Sequence, residues 1–488
     1  MTSRETVFLG IDLGTTNVKA QIVRKDGTVV SSASAPVGIT YGADGAAEQD
    51  LEDIWSGTTA AIRKAVISAG GSDVIAIGVS SQGGALQVLD RAGRCLGRVI
   101  GWQDSRGEPW DRALSTRLGA FWFIQHTGRT YSTSACGQIL RLREQGGLPE
   151  GFRIGWVGDL IVQRLCGRRA QDETSLSEEC FDNPRVGKED AELLAELGIN
   201  AYQLPDLLPV HQAAGMLLPD VASSLGLPSD IPVGPAVHDQ YAAATGCGAI
   251  RPGDTMLGAG TAWVLLSMGD FLEAPVPGAG LVGRHVVPGL YGHMLAMTNG
   301  GACLSWALKT LNLGNLKVTE VDALMAGAPP GCDGLRFRPL LSELGGHGVP
   351  HGVPGRLDGL RLRHTAAHIV RALVEGLACE LGRYLAMIGE GGVAVNRLVM
   401  CGKAAASIVT PGIIADTSGL PVDCVTIPET SSLGAAMCAR ALVEPDVGLV
   451  ELADAMKPPA RRVEPGPGKA EARERLEEYL LSCKAMTA

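Results

Sequence analysis

The stretch that decides the fold lies close to the start of the chain: Phe8-Leu9-Gly10-Ile11-Asp12-Leu13-Gly14-Thr15-Thr16-Asn17-Val18-Lys19. The apolar run over residues 7–11 predicts a buried strand, and Asp12 falls at its end. The Gly14-Thr15-Thr16 segment predicts a tight turn into a second strand over residues 18–23. The two strands therefore form a hairpin whose turn directly follows a carboxylate.

This predicted turn brings together backbone N–H groups, the hydroxyls of Thr15 and Thr16, and the ammonium group of Lys19. Such groups can bind phosphate oxygens, and the carboxylate of Asp12 can hold a cation beside them. The alternative interpretation is an ordinary Gly-Thr turn with a solvated aspartate. The stretch by itself leaves both interpretations open.

Length and composition predict a globular protein of two domains. The chain has 488 residues, of which 45% are hydrophobic and 19% are charged, and one core rarely extends over so long a chain. The formal net charge of −10 argues against a nucleic-acid partner, which requires clustered Lys and Arg. Because no apolar run approaches the roughly 18 residues that cross a bilayer, we expect no membrane association.

The cysteines and the first residues predict a cytoplasmic location. The 12 cysteines are scattered from Cys95 to Cys483 without a C-x-x-C pair. The first residues lack the apolar segment of a secretory signal. We therefore expect reduced thiols in a cytoplasm.

Helices are predicted between the strands, which indicates an α/β layer. Asp50 is expected to cap one helix, and helical spacing of apolar residues predicts others over residues 121–131, 136–145 and 365–388. A further helix is predicted to begin at Trp156. The charged segment over residues 469–480 predicts a surface helix.

Two loops that follow predicted strands could contact a polyhydroxylated ligand. Gln82 and Gly83 follow the strand predicted over residues 74–79. Trp102 and Asp104 follow the second predicted strand after that one. Amide and carboxylate groups bind hydroxyls, and an aromatic face covers the C–H side of a sugar. The alternative is a core tryptophan and a surface ion pair between Asp104 and Arg106.

A third loop carries a candidate catalytic carboxylate. The strand over residues 231–237 ends in His238-Asp239-Gln240 and passes into an alanine-rich helix. α/β proteins place ligands at the carboxyl ends of strands, and a helix N-terminus keeps a carboxylate ionised. An ionised carboxylate in a cleft can accept the proton of an attacking hydroxyl. The alternative is that Asp239 simply caps the helix.

The second half of the chain contains two turns of small residues. Gly258-Ala259-Gly260-Thr261 lies between two predicted strands, and the segment from Cys401 to Ala406 follows another strand. The absence of bulk in the second turn would let an adenine-ribose group approach the backbone. His347 and His351 lie in a Gly- and Pro-rich loop and are interpreted as surface residues rather than metal ligands.

Taken in order, these motifs resemble those of the FGGY carbohydrate kinases, which belong to the superfamily of actin, heat-shock protein 70 and sugar kinases. The D-L-G-T-T turn is similar to the first phosphate motif of the family and the Gly260-Thr261 turn to the second. Residues 298–306 resemble a turn in which Gly301 would lie along the nucleotide. The W-x-D-x-R segment of the family is matched by Trp102, Asp104 and Arg106.

The resemblance implies two ribonuclease-H-like domains of the actin-like ATPase fold, with a central ligand cleft. It divides the chain into an N-terminal domain (residues 1–252), a nucleotide-binding C-terminal domain (253–445) and a charged tail (446–488). It implies transfer of the γ-phosphate of ATP to a hydroxyl of a small sugar or polyol, with Asp239 as general base and Mg²⁺ near Asp12. The residues implied to contact nucleotide or phosphate are Thr15, Thr16, Lys19, Gly260, Thr261, Gly301, Gly402 and Ala406. Those implied to contact the sugar are Gln82, Gly83, Trp102, Asp104, His238 and Asp239.

One loop of the first half bears on the identity of the acceptor. Xylulose kinases typically carry Gln-Met-His-Gly and glycerol kinases Arg-Glu where this chain has Gln82-Gly83-Gly84-Ala85. This difference argues against glycerol, and a ketose such as xylulose is the favoured acceptor. The rival interpretations are an actin-like or chaperone-like ATPase switch without a sugar substrate and a catalytically inactive sugar sensor. A homodimer is one oligomeric state that the sequence permits.

Overall fold

The computed structural model describes residues 5–70, 72–275, 280–342, 349 and 352–487. The histidines at positions 347 and 351, interpreted from the sequence as surface residues, lie outside the described residues. Within the described ranges, no helix is both long enough and apolar enough to cross a lipid bilayer. The cysteines are free thiols, and most of them are buried.

The first half of the chain carries most of the strands. In chain order its strands and helices are β1 (Thr6–Leu13), β2 (Asn17–Arg24), β3 (Val29–Pro36), β4 (Thr40–Tyr41), β5 (Ala47–Gln49), α1 (Leu51–Ser68), β6 (Asp73–Ser81), β7 (Leu86–Leu89), β8 (Cys95–Ile100), α2 (Glu108–Leu118), α3 (Ala120–His126), α4 (Ser134–Glu144), β9 (Arg153–Trp156), α5 (Val157–Cys166), β10 (Ala170–Gln171), α6 (Glu173–Glu178), β11 (Asp182–Asn183), β12 (Lys188–Glu189), α7 (Ala191–Leu197), β13 (Asp206–Leu207), β14 (Gly215–Met216), α8 (Pro219–Leu225), β15 (Pro232–His238) and α9 (Asp239–Cys247).

The second half contains longer helices. Its strands and helices are β16 (Asp254–Ala259), β17 (Trp263–Gly269), β18 (Leu281–Arg284), β19 (Tyr291–Met297), α10 (Gly301–Thr310), α11 (Val318–Ala326), β20 (Arg336–Arg338), β21 (Arg356–Asp358), α12 (Ala366–Glu390), β22 (Arg397–Cys401), α13 (Thr410–Ser418), β23 (Val422–Cys424), α14 (Thr430–Val443), α15 (Leu449–Met456), β24 (Arg461–Val463) and α16 (Lys469–Thr487).

The two large sheets share one strand order. The first contains the run β3-β2-β1-β6-β15, and the second contains β19-β17-β16-β22-β23. In each run three strands form an antiparallel meander, and two further strands then join in parallel beside the first strand of that meander. This repetition agrees with the predicted α/β fold of two ribonuclease-H-like domains. A third sheet, β4-β5-β8-β7-β9, lies in the first half of the chain.

Helix α14 joins the two halves, although it lies late in the chain. It packs against β1 and β6 of the first sheet and against α9. Leu433 and Met437 of α14 share a buried cluster with Phe8 of β1, Met256 of β16 and Val399 of β22. The hydrophobic core is therefore continuous between the sheets, in addition to a separate core within each half.

Most predicted elements are confirmed, and two local expectations need correction. Asp50 caps α1 by accepting from the backbone N–H of Glu52, as expected. The helix predicted over residues 121–131 ends at His126, because Gly128 takes a left-handed conformation, with φ of 62°. Trp156 is the last residue of β9 rather than the start of a helix.

The surface helix predicted over residues 469–480 is confirmed as α16, and the charged segment after residue 445 packs against the second half of the molecule. Its strand β24 pairs with β23 at the edge of the second sheet, and its last helix, α16, packs against α12 and α13. The hydroxyl of Tyr479 donates to Glu380 of α12 at 2.7 Å. The segment completes the second half of the molecule.

A buried carboxyl group makes stability depend on pH. Asp172 caps α6 through hydrogen bonds from Thr174 and Ser175, and burial raises its pKa to about 7. Because the unfolded chain releases this proton near its ordinary pKa, the native state is progressively destabilised between about pH 4 and pH 7. We therefore expect Asp172→Asn to raise the melting temperature at pH 8 by about 2 °C, and by much less at pH 5.

The matched control for this prediction is Asp50→Asn, which changes the cap of α1, where the side chain is 44% exposed. Thermal unfolding of the two variants should be followed at pH 5 and pH 8. An Asp172→Asn variant with the same melting temperature as the wild type at pH 8, or a lower one, would show that the buried carboxyl is not destabilising.

Candidate active site

The predicted functional loops follow strands at corresponding edges of the two sheets. Strands β1, β6 and β15 run parallel, so the residues after them emerge at one edge of the first sheet. Strands β16 and β22 are likewise parallel in the second sheet. The segments that follow these five strands begin at Gly14, Gln82, Asp239, Gly260 and Gly402.

Asp12 lies near the end of β1 and is 95% buried, with 5% of its surface exposed. Its Oδ1 accepts from the hydroxyl of Ser80 at 3.0 Å, and its Oδ2 lies 3.6 Å from Lys19 Nζ. Burial raises the pKa of Asp12, the charges of Asp239 and Glu429 add to this rise and Lys19 opposes it, so that the pKa lies at about 6. Several carboxylates are therefore close enough here to repel one another.

Lys19 is held between two of these carboxylates. Its ammonium group pairs with Asp12 and, more closely, with Glu429. Burial alone would lower the pKa of Lys19, but the two carboxylates raise it above its ordinary value. Glu429 precedes α14 and has a left-handed backbone, with φ of 67°, which is strained for a residue with a side chain. The predicted contact of Lys19 with phosphate stays a prediction.

A hydrogen-bond network links the first turn to two of the predicted sugar-binding residues. The hydroxyl of Thr15 donates to Gln82 Oε1 at 3.0 Å and accepts from Trp102 Nε1 at 3.1 Å. Gln49 completes the network, since it accepts from Gln82 Nε2 and donates to the carbonyl of Thr15, both at 2.9 Å. Trp102 remains 49% exposed beside the turn, and Thr16 is exposed.

Asp104 forms an ion pair with Arg106 in which the carboxylate is buried and the arginine side chain is 20% exposed, so the pair does not lie freely on the surface. The carboxylate accepts from Arg106 at 2.6 to 3.0 Å, from Gln138 at 2.9 Å and from the backbone N–H of Ala47 at 3.0 Å. Burial would raise the pKa of Asp104, but the Arg106 guanidinium and the backbone N–H groups hold it below its ordinary value. The side chain has no exposed surface, so its predicted contact with a sugar would require a rearrangement.

Asp239 is the first residue of α9, and its carboxylate is 26% exposed. Its Oδ1 accepts from Gln240 Nε2 at 3.1 Å and lies 3.3 Å from His238 Nε2. Burial raises the pKa of Asp239, and the neighbouring His238 opposes this rise. His238 occupies the N-cap position itself, and no side-chain cap hydrogen bond is made. The capping alternative for Asp239 is therefore wrong.

The turn after β16 forms the entry to a helix. Gly260 and Thr261 are exposed, and their carbonyls accept from the backbone N–H groups of Gly301 and Ala302 at 3.2 and 2.9 Å. These bonds fix the turn against the N-terminus of α10. Three of the predicted nucleotide-contacting residues therefore lie together.

The turn after β22 lies beside this one. Gly402 has φ of 85°, and a Cβ there would lie 2.9 Å from the carbonyl oxygen of Ala259. Gly402 and Ala406 are exposed, whereas Cys401 is buried at the end of the strand. The side chain of Cys401 therefore lies away from the exposed residues of this turn.

The two halves approach each other at Asp239. A Cβ on Gly258 of β16 would lie 3.5 Å from Gln240 Oε1. From α14, the hydroxyl of Ser431 donates to the carbonyl of Asp239 at 3.3 Å. The carboxylate that follows β15 thus lies where the first sheet, the second sheet and the connecting helix meet.

Comparison with known proteins identifies the chain. The model of the FGGY family of carbohydrate kinases matches residues 7–246 with its N-terminal domain and residues 258–442 with its C-terminal domain. The chain belongs to this family. FGGY kinases are phosphotransferases with an alcohol group as acceptor, and the actin-like fold predicted from the sequence is confirmed.

Individual FGGY kinases resemble the chain over nearly its whole length. A xylulose kinase of Escherichia coli is 28% identical, with 91% of this chain and 92% of the relative covered. A glycerol kinase of Thermus brockianus is 32% identical, with 88% of each chain covered. The crystal structure of xylulose kinase from Rhodospirillum rubrum superposes with a TM-score of 0.89 at 28% identity and covers 98% of each chain.

The oxygen groups around Asp12 suit a cation whose other ligands are substrate phosphates and water. Among the described residues, no group of three or more His, Cys, Asp or Glu side chains converges as a metal site. Asp12 and the hydroxyl of Ser80 can supply oxygen contacts at one position. Mg²⁺ is commonly held by one or two carboxylates together with substrate phosphates and water, so these residues fit such an ion.

Proposed function

We propose that this FGGY kinase transfers the γ-phosphate of ATP to a hydroxyl of a ketose such as xylulose, with Asp239 as the general base. The observation that carries the proposal is the partly exposed carboxylate of Asp239 at the junction of the two halves. It lies at the edge of the first sheet that also carries the Gly14-Thr16 turn.

In this proposal Asp239 accepts the proton of the acceptor hydroxyl as that oxygen attacks phosphorus. Its raised pKa makes it a stronger base than an exposed aspartate. Gln240 donates to the carboxylate and His238 lies beside it, so both orient it. Trp102 offers an exposed ring against which a sugar can pack.

The phosphates would be bound by the turns of both halves. Backbone N–H groups and hydroxyls of Thr15, Thr16 and Thr261, with the ammonium of Lys19, would stabilise the charge that develops during transfer. Mg²⁺, when bound beside Asp12, would neutralise charge on the phosphates. The adenosine would lie on the exposed small residues Gly402 and Ala406, next to Gly301.

The choice of acceptor rests on a loop of the first half. The named activities of the relatives include both xylulose and glycerol phosphorylation, so similarity alone favours neither acceptor. Gln82-Gly83-Gly84-Ala85 stands where glycerol kinases typically carry Arg-Glu, which favours a ketose. The cytoplasmic location, the possible homodimer and the lack of nucleic-acid or membrane partners stay predictions from the sequence.

ADP formation by the purified protein tests the proposal. The protein should be incubated with ATP and Mg²⁺ alone and with xylulose, ribulose or glycerol. We expect turnover that depends on the acceptor and is fastest with a ketose. Turnover that is the same with and without every acceptor would contradict the proposal and favour an ATPase switch.

A further inference from the structure

We propose that the carboxylate of Glu178 forms one wall of the acceptor pocket and selects uncharged sugars against sugar acids. This inference rests on the proposed kinase function and adds a determinant of substrate class to the same site. No local sequence pattern indicates a role for Glu178, because its partners lie far from it along the chain.

The position of Glu178 follows from the way α6 is tied to β15. Strand β10 pairs in parallel with β15, and a single residue, Asp172, separates β10 from α6. Thr174 accepts from the backbone N–H of His238 at 3.0 Å, and Ser175 donates to the carbonyl of Ala236 at 3.2 Å. The first turn of α6 is therefore fixed beside the residues that precede Asp239.

At the end of this helix, Glu178 meets the loop that follows β6. A Cβ on Gly83 would lie 2.2 Å from Glu178 Cγ and 2.9 Å from His238 Nε2. Only a glycine leaves room for both side chains. Glu178 thus reaches the predicted sugar-binding residues Gly83 and His238, and burial together with the Glu178 charge raises the pKa of Asp239.

A buried arginine anchors one side of the Glu178 carboxylate. Arg129 Nη2 donates to Glu178 Oε2 at 3.2 Å and to the carbonyls of Glu178 and Ser177 at 2.8 and 3.3 Å. Within the described part of the chain, no group donates to Glu178 Oε1. The side chain is 25% exposed, so one carboxylate oxygen is available to accept from a sugar hydroxyl.

The charge balance around this pocket disfavours an anionic acceptor. Arg129 is nearly buried behind Glu178: three oxygens of α6 occupy its Nη2, and its Nε, which has no hydrogen-bond partner among the described residues, is itself buried. The carboxylates of Glu178 and Asp239 are the more exposed charges. A carboxylate on the acceptor would be repelled by both, whereas the hydroxyls of a ketose can donate to them.

This proposal is tested by measuring how strongly xylonate, a five-carbon sugar acid, inhibits the wild type and the Glu178→Gln variant. Glutamine keeps the size of the side chain and can still accept from Arg129. With the acceptor that the wild type uses fastest as the varied substrate, we expect the variant to lower the Ki of xylonate about tenfold. The KM of the neutral acceptor should rise by about threefold to tenfold, because the amide NH2 that replaces the free carboxylate oxygen cannot accept from a sugar hydroxyl, so the two constants move in opposite directions.

Glu173→Gln is the matched control, because Glu173 lies on the same helix but faces Arg284 at 3.9 Å. We expect it to leave the Ki of xylonate unchanged. If Glu178→Gln fails to fold, the wild-type Ki is measured at low and high KCl, where screening should strengthen xylonate inhibition.

An equal Ki in wild type and Glu178→Gln, a salt-independent Ki, or wild-type phosphorylation of xylonate as fast as that of a ketose would overturn the inference. The proposed function would survive each of these results. The proposed function fails separately if the wild type phosphorylates no ketose.

Discussion

Asp239→Asn should lower the kcat of acceptor phosphorylation by about 10²- to 10⁴-fold. Asparagine has the same shape but cannot accept the proton of the attacking hydroxyl. The hydrogen bond with Gln240 can still form, and the phosphate-binding turns are unchanged. We therefore expect the KM for ATP to stay within about threefold of the wild-type value. Steady-state kinetics with saturating acceptor measures both constants.

The control for this experiment is Asp111→Asn. Asp111 is a buried residue of α2 and does not lie beside Asp239. Its carboxylate accepts from the hydroxyl of Ser132 and from the backbone N–H of Gly137. The folded fraction of the Asp111→Asn variant should have a kcat close to that of the wild type. If Asp239→Asn retains wild-type kcat, Asp239 is not the general base.

Gly434→Ala should destabilise the native state by about 3 kcal/mol. Gly434 lies in α14, and a Cβ there would lie 1.8 Å from the carbonyl oxygen of Ala242 in α9. This neighbour is backbone, so the whole helix must shift to relieve the clash. Because α9 begins with Asp239, we also expect kcat to fall. Denaturant unfolding measures the stability, and kinetics at low temperature measures the activity of the folded fraction.

Gly412→Ala provides the matched helical control. Gly412 lies in α13, and a Cβ there would meet no atom within 4 Å. Alanine is favoured over glycine in a helix by about 0.5 to 1 kcal/mol, so this variant should be as stable as the wild type or more stable. Equal stability of Gly434→Ala and the wild type would show that α14 is not packed as closely as described.

The turns of the site were accessible to sequence analysis because each is a local pattern. The Gly14-Thr16 turn follows an apolar strand within a few residues, and Asp239 likewise follows β15 directly. The periodicity of the hydrophobic residues and the residue types of the turn that follows are enough to place such residues at the ends of strands. Their order along the chain then supplied the resemblance to the family.

Contacts between distant parts of the chain could not be predicted in this way. Glu429 lies 410 positions from its partner Lys19, and a glutamate before a helix gives no sign of a partner on another strand. The return of α14 to the first sheet and the pairing of Glu178 with Arg129 are equally non-local. Glycines that permit close packing are visible in the sequence, but the backbone that they meet is not.

The alternative roles of Asp104 show the same limit. From the sequence, a sugar contact and an ion pair with Arg106 were equally compatible with the W-x-D-x-R spacing. The carboxylate is enclosed by Arg106, Gln138 and the backbone of Ala47. Two of these three partners come from other elements, so only the tertiary structure reveals them.

Transfer of phosphate from ATP to a sugar is tested by the amount of phosphorylated acceptor formed per ATP consumed. The purified protein is supplied with ATP, Mg²⁺ and a ketose, and both ADP and the sugar phosphate are quantified by mass spectrometry in the same samples. We expect about one sugar phosphate per ADP, with little ADP when the ketose is omitted. ADP that accumulates without any phosphorylated sugar, at the same rate with and without the ketose, would contradict the proposed transfer.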